Sequence, residues 1–176
     1  MSKKLLIVVD MQNDFTTGAL RNEDAIAIIP NVVEKVKKAL DEGTDVIFTR
    51  DTHHDDYMNT EEGRNLPVPH CISGSEGWEL IDELKPYADK AAGVIDKLTF
   101  GSSELGAKLA KDYADATEIE LIGICTDICV ISNALLTKAF LPNAHVRVDS
   151  SCCAGVTPDS HNTALEAMKA CHIEVV

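Results

Sequence analysis

Two hydrophobic rhythms alternate along the chain. Short unbroken apolar runs that stop at a polar residue read as strands buried on both faces. Apolar residues spaced three and four apart read as helices that cover them. Lys4–Val9 (KLLIVV) runs into Asp10, and Asp45–Arg50 (DVIFTR) runs into Asp51. Gly93–Leu98 carries Lys97 near its end, and Glu118–Ile124 (EIELIGI) leads into Cys125. His145–Ser151 and His172–Val176 complete six strands. Between them, Asn31–Leu40 sets Val32, Val33, Val36 and Leu40 at helical spacing, with Pro30 before it and Gly43 after it. Ser102–Ala114, Thr126–Leu141 and Pro158–Cys171 read as further helices, Thr126 and Asp127 capping the second. Periodicity is weak from Asp51 to Ala91, where Trp78–Leu84 (WELIDEL) alone reads as a helix, stopped before Pro86.

This order predicts an α/β three-layer sandwich, a six-stranded and mostly parallel sheet with helices on both faces and right-handed crossovers. Nothing in repeats or composition divides residues 1–176, so a single domain is expected, and 45% hydrophobic with 26% charged residues suffices for its core. A net charge of -13 lacks the basic footprint that nucleic acid or an anionic membrane surface requires. No apolar run approaches the roughly 18 residues of a membrane span. The opening MSKKLLIVVD reads as a first strand and not a signal peptide. The expected compartment is therefore the cytoplasm, with Cys71, Cys125, Cys129, Cys152, Cys153 and Cys171 as reduced thiols.

Parallel sheets work just beyond the carboxyl ends of their strands. There the pattern brings Asp10, Lys97 and Cys129 from three strand tips toward one crevice. Cys129 falls in the first turn of a helix, where free N–H groups and a neighbouring ammonium lower a thiol's pKa. Asp10 can accept the thiol proton and return it to a leaving group, Lys97 can steady the thiolate, and the amides of residues 125–129 can hold an oxyanion. Asp51 and His53, two apart on an extended stretch, point the same way. With His70 from the following loop they make a carboxylate and two imidazoles, a set suited to zinc, and Glu61, Glu62 and Asp55 remain open as further ligands. His54 should point away. His145, His161 and His172 read as surface or capping groups, Asp14 as a turn or cap residue, and Asp149 as a strand end that could face the crevice.

VVDMQNDF, TRDTH, the PxHC of Pro69–Cys71, Lys97 on its strand and GICTDICV together resemble the isochorismatase-like cysteine hydrolases, nearest the nicotinamidase/pyrazinamidase branch, in order and over nearly the whole chain. The resemblance implies the isochorismatase-like hydrolase fold and amide hydrolysis through a thioester, with nicotinamide as the leading substrate. It puts Asp10, Lys97 and Cys129 on the family's catalytic triad and Asp51, His53 and His70 on its ligands for a divalent metal, zinc first, with manganese or iron as alternatives. It puts the N–H groups of Cys125 and Cys129 on the oxyanion hole, a cis bond at Ile124–Cys125, and Phe15 near the substrate pocket. It also implies a homo-oligomer. Nicotinamidases usually carry a tryptophan three residues before the metal-binding histidine; here that position is Pro67, which weakens nicotinamide as the substrate but not thiol-dependent hydrolysis.

Other readings compete. Another small amide, such as a carbamoyl compound, could be the substrate. A zinc-bound hydroxide could act with Cys129 incidental. Cys125 with Cys129, or Cys152 with Cys153, could form a redox module, although neither has the two-residue redox spacing. A degenerate binding protein should have lost at least one of the six aligned residues.

Overall fold

The computed structural model describes residues 3–176. Strands β1 (Lys3–Val9), β2 (Asp45–Asp51), β3 (Gly93–Lys97), β4 (Ala116–Ile124), β5 (His145–Ala154) and β6 (Glu174–Val175) form one sheet in the order β3-β2-β1-β4-β5-β6. Every pairing is parallel. The period of two sorts the side chains. Leu5, Ile7 and Val9 of β1 join a core with α5 (Ser103–Asp112), α6 (Ile131–Phe140) and α7 (Pro158–Ala170). Leu6 and Val8 join the opposite core with α1 (Glu23–Ala27) and α2 (Ile29–Asp41). Apolar runs buried on both faces are thus what the three-layer sandwich requires. The same rule parts Cys152 from Cys153: they face opposite cores, which removes a vicinal redox pair. No helix among the described residues is long and apolar enough to cross a membrane.

Chain order reverses between β1 and β4, so the crevice at this fold's switch point opens between their carboxyl ends. The two strands pass closely there. Gly123, at φ 114°, sits where a Cβ would run into the carbonyl oxygen of Val9, so glycine is required beside the tip that carries Asp10.

Several elements differ from expectation. Trp78–Leu84 is not a helix. Its backbone pairs instead with the turn after β1: the amide of Asn13 donates to Glu79 O, that of Ile81 to Met11 O, and Gln12 bridges Leu80. The Trp78 ring lies under the Arg50 guanidinium at 3.5 Å, and its Nε1 donates to Thr52. Pro86 opens a short helix, α4 (Lys85–Ala88), instead of stopping one. The weakly periodic stretch also holds α3 (Glu61–Asn65), capped by the Thr60 hydroxyl. β5 runs on to Ala154, and β6 shrinks to two residues.

Candidate active site and metal centre

The strand ends deliver the side chains. Asp10 follows β1 at φ 51°, Asp51 and Lys97 close β2 and β3 as directly paired neighbours, and Cys129 lies in a wide π-type turn, Thr126–Val130, that precedes α6. The Lys97 ammonium sits 2.7 Å from Asp10 Oδ2, 3.0 Å from Asp51 Oδ1 and 3.3 Å from Cys129 Sγ. The Thr49 hydroxyl donates to Asp10 Oδ1 at 2.7 Å. Asp10 Oδ2 touches the ammonium as an ion pair but accepts no aligned hydrogen bond. Lys97 and Asp10 are buried behind the sulfur. Cys129, 6% exposed, lines a cleft of about 1170 Å³, and of the three it alone does so.

Electrostatics here differ from the sequence expectation. Burial pushes the Cys129 thiol well above its usual range, the Asp10 carboxylate adds to that, and Lys97 opposes it without prevailing. These opposing influences favour the neutral thiol over a standing thiolate. Burial and the Asp51 charge also raise Asp10, against the pull of Lys97. Burial works against the Lys97 charge, but Asp10, Cys129 and Asp51 together hold its pKa well above the lysine range. Burial also pushes Cys125, the second thiol of the cleft, up to about 12. The peptide Ile124–Cys125 is cis, and the Cys125 carbonyl accepts from the amides of Ile128 and Val130. Thr126 and Asp127 do not cap the helix. Thr126 Oγ1 lies 2.8 Å from His161 Nδ1, and Asp127 accepts from the Val156 amide, so both tie this turn to the region of α7.

On the cleft wall, Asp51, His53, His70 and Glu62 converge, their donor atoms all within 4.8 Å of one another. Asp51 Oδ2 lies 3.0 Å from His53 Nε2 and 3.4 Å from His70 Nε2. Glu62 Oε1 lies 3.5 and 3.8 Å from the same two nitrogens. Tetrahedral zinc with bonds of about 2.0–2.1 Å spaces its donors about 3.3–3.4 Å apart, so the set fits such an ion. His70 Nδ1 lies 2.8 Å from the Val68 carbonyl, which turns Nε2 inward as a free ligand. Burial disfavours a charged His53, yet Asp51 and Glu62 outweigh it and raise the imidazole to about 9, the mark of a site that attracts a cation. Among the three acids the sequence left open, the structure selects Glu62; His54 and Asp55 are exposed. Phe15 lines the cleft with its ring edge-on to His70 at 6.1 Å. Pro67 does not line it, and neither does Trp78. Asp149 faces Lys35 elsewhere and not this crevice.

The isochorismatase domain pattern matches residues 4–176. The chain belongs to the isochorismatase family. Among family relatives, it is 29% identical over 185 residues to the nicotinamidase/pyrazinamidase of Mycobacterium tuberculosis, covering 98% of each chain. The fold matches the zinc complex of the Pyrococcus horikoshii pyrazinamidase with a TM-score of 0.84 at 29% identity, over 99% of this chain and 98% of that one. It matches the nicotinamidase/pyrazinamidase PncA from Bacillus subtilis with a TM-score of 0.86 at 30% identity, over 99% of both.

Proposed function

We propose that this chain is a cysteine-dependent amidohydrolase that converts a small carboxamide to its acid and ammonia through a thioester, with nicotinamide the first candidate substrate. The supporting observation is the Lys97 ammonium set between Asp10, Asp51 and the Cys129 sulfur, which lines the cleft. Family membership and relatives named for nicotinamidase activity support the reaction class.

In this reading Asp10 takes the Cys129 proton on Oδ2, the oxygen free of an aligned donor, as the sulfur attacks the carboxamide carbon. Because the resting thiol is neutral, proton transfer accompanies attack. Lys97 stays charged throughout and stabilises both the anion of Asp10 and the developing thiolate. The amides of Cys125 and Cys129 face the oxyanion, a contribution of roughly 2.7–4 kcal/mol per donor. Asp10 returns the proton to the departing nitrogen, ammonia leaves, and the thioester remains. Water then attacks with Asp10 as base, the carbon–sulfur bond breaks, Asp10 returns that proton to the Cys129 sulfur, and the acid departs. Asp51, His53, Glu62 and His70 would hold a divalent cation, which would supply positive charge on the cleft wall to orient a polar substrate. Phe15 offers its ring to the acyl part of the substrate.

The test is ammonia release from nicotinamide, pyrazinamide and small aliphatic amides, with metal content determined on the same preparation. Turnover by the wild-type protein that survives in Cys129→Ala would refute the thioester scheme.

A further inference from the structure

The turn that follows Asp10 holds two buried polar side chains without a part in the chemistry above, and both act on the main chain of the metal ligands. Gln12 is fully buried. Its Oε1 accepts from the Asp51 N–H at 2.7 Å, and its Nε2 donates to the Asp51 carbonyl at 2.9 Å and the Trp78 carbonyl at 2.8 Å. One primary amide therefore grips Asp51 on both sides of its Cα, while the Gln12 N–H donates to Asp10 O at 2.8 Å. Asp14 is buried too, and its oxygens accept from the amides of Cys71 (2.6 Å) and Ala19 (3.0 Å), with no cation paired to it among the described residues. Cys71 follows His70 directly, and its carbonyl accepts from the His53 N–H at 2.9 Å. Asp14 thus fixes Cys71, the residue that joins the two histidine-bearing segments. Gly18 and Gly77 make room for it, since a Cβ on either would run into the Asp14 carboxylate.

A buried carboxylate answered only by amides, and a buried carboxamide with three of its hydrogen bonds on main chain, are costly to place unless their geometry is used. We propose that Gln12 and Asp14 are positioning residues that pre-organise the metal centre, Gln12 by setting Asp51 and Asp14 by setting His53 and His70 through Cys71. The inference rests on the metal part of the reading above. Glu62, which the turn does not hold, is the ligand left free to adjust.

The experiment is chelator competition on the full-length, zinc-loaded protein, comparing wild type with Gln12→Met and Asp14→Asn. Each variant should weaken zinc retention by about 10–100-fold, the range for loss of a group that orients a metal ligand. Both should keep the native circular-dichroism spectrum, and Asp14→Asn should keep the wild-type rate of Cys129 alkylation, because its contacts do not reach the triad. Two variants with wild-type zinc affinity would overturn the inference while leaving the metal site intact. Affinity lost only together with the native spectrum in both variants would overturn it as well, reducing the pair to scaffold. A wild-type protein that binds no zinc would remove the metal reading and the inference with it. If Gln12→Met fails to fold, Asp14→Asn alone decides.

Discussion

Two lysines in this molecule have the same kind of neighbours and opposite circumstances. Lys97 sits between Asp10 and Asp51, and Lys35 sits between Asp149 (2.6 Å) and Glu120 (3.1 Å). The Lys35 cluster lines a separate crevice between α2 and the β4–β5 face and keeps partial contact with water, its lysine side chain 27% exposed. Arg147 joins it at 3.2 Å from Glu120, so two cations answer two carboxylates. The Lys97 cluster has one cation for two carboxylates, no exposed lysine surface, and a thiol as its fourth member. Composition does not separate them. What separates them is position at the strand ends, dryness, and an excess of negative charge that leaves a place for a proton and, beside it, a metal cation.

The sharpest break of the comparison is a matched pair of substitutions. Lys97→Met should lower kcat/KM for any amide the enzyme turns over by about 10⁴-fold or more, as loss of a cooperating member does in other nucleophilic hydrolases. It should also destabilise the fold by about 3–5 kcal/mol, because it strands two buried carboxylates. Lys35→Met should leave kcat/KM within about twofold of wild type, the behaviour of a site remote from chemistry. Steady-state ammonia release and urea melts on both variants decide this, and equal losses of activity would erase the distinction. Next in size is Glu62→Gln. Losing a direct ligand should weaken zinc retention by more than the roughly 10–100-fold expected for an orienting partner, measured by the same chelator competition. Smaller again is Thr49→Val, which keeps shape but deletes the hydroxyl that donates to Asp10 Oδ1. A hydrogen bond to a charged group contributes about 1.5–3 kcal/mol, so kcat should fall on the order of tenfold or more with KM little changed.

How much of this contrast the sequence carries depends on which link is asked for. The strand tips are legible because each apolar run gives way to polar residues at its end: Val9 before Asp10, Phe48 three residues ahead of Asp51, Ile124 before Cys125. Sheet order and the pairing of Asp51 with Lys97 are not in the pattern, because right-handed crossovers are compatible with more than one order of parallel strands. Glu62 is illegible for a physical reason. It lies on a five-residue helix with no periodicity, and choosing it over Glu61 or Asp55 needs the path of the loop. WELIDEL misleads because its apolar spacing suits a helix, while its backbone bonds are claimed by residues 11–13, a tertiary fact that no local pattern contains. The thiol is the subtler case. Helix start and lysine are both present, yet burial and Asp10 outweigh them, and burial is what a sequence expresses least. The role of Asp51 in both clusters, one oxygen toward Lys97 and the other toward the imidazoles, likewise exists only in distances.

The smallest effect lies in the Lys35 cluster and follows from its wetness. Burial works against ionised Asp149, but the Lys35 ammonium and the Ser151 donors hold its pKa below the carboxylate range. Burial works against charged Lys35, yet Asp149 and Glu120 raise its pKa. A depressed carboxylate stabilises the fold above its unfolded pKa and loses that contribution as pH falls through its folded value; a raised lysine does so below its unfolded pKa and loses it as pH rises. The cluster should therefore stabilise the protein across a plateau from about pH 4 to about pH 10. Because these groups are partly solvated, the whole contribution should stay near or below about 1 kcal/mol. Thermal melts of wild type and Lys35→Met should differ by a small constant amount between pH 5 and pH 8, and the gap should close below about pH 4 as Asp149 takes up its proton. A gap that stays open in acid would mean that Lys35 acts through its aliphatic stem and not through its charge, and the two lysines would then differ in kind and not only in setting.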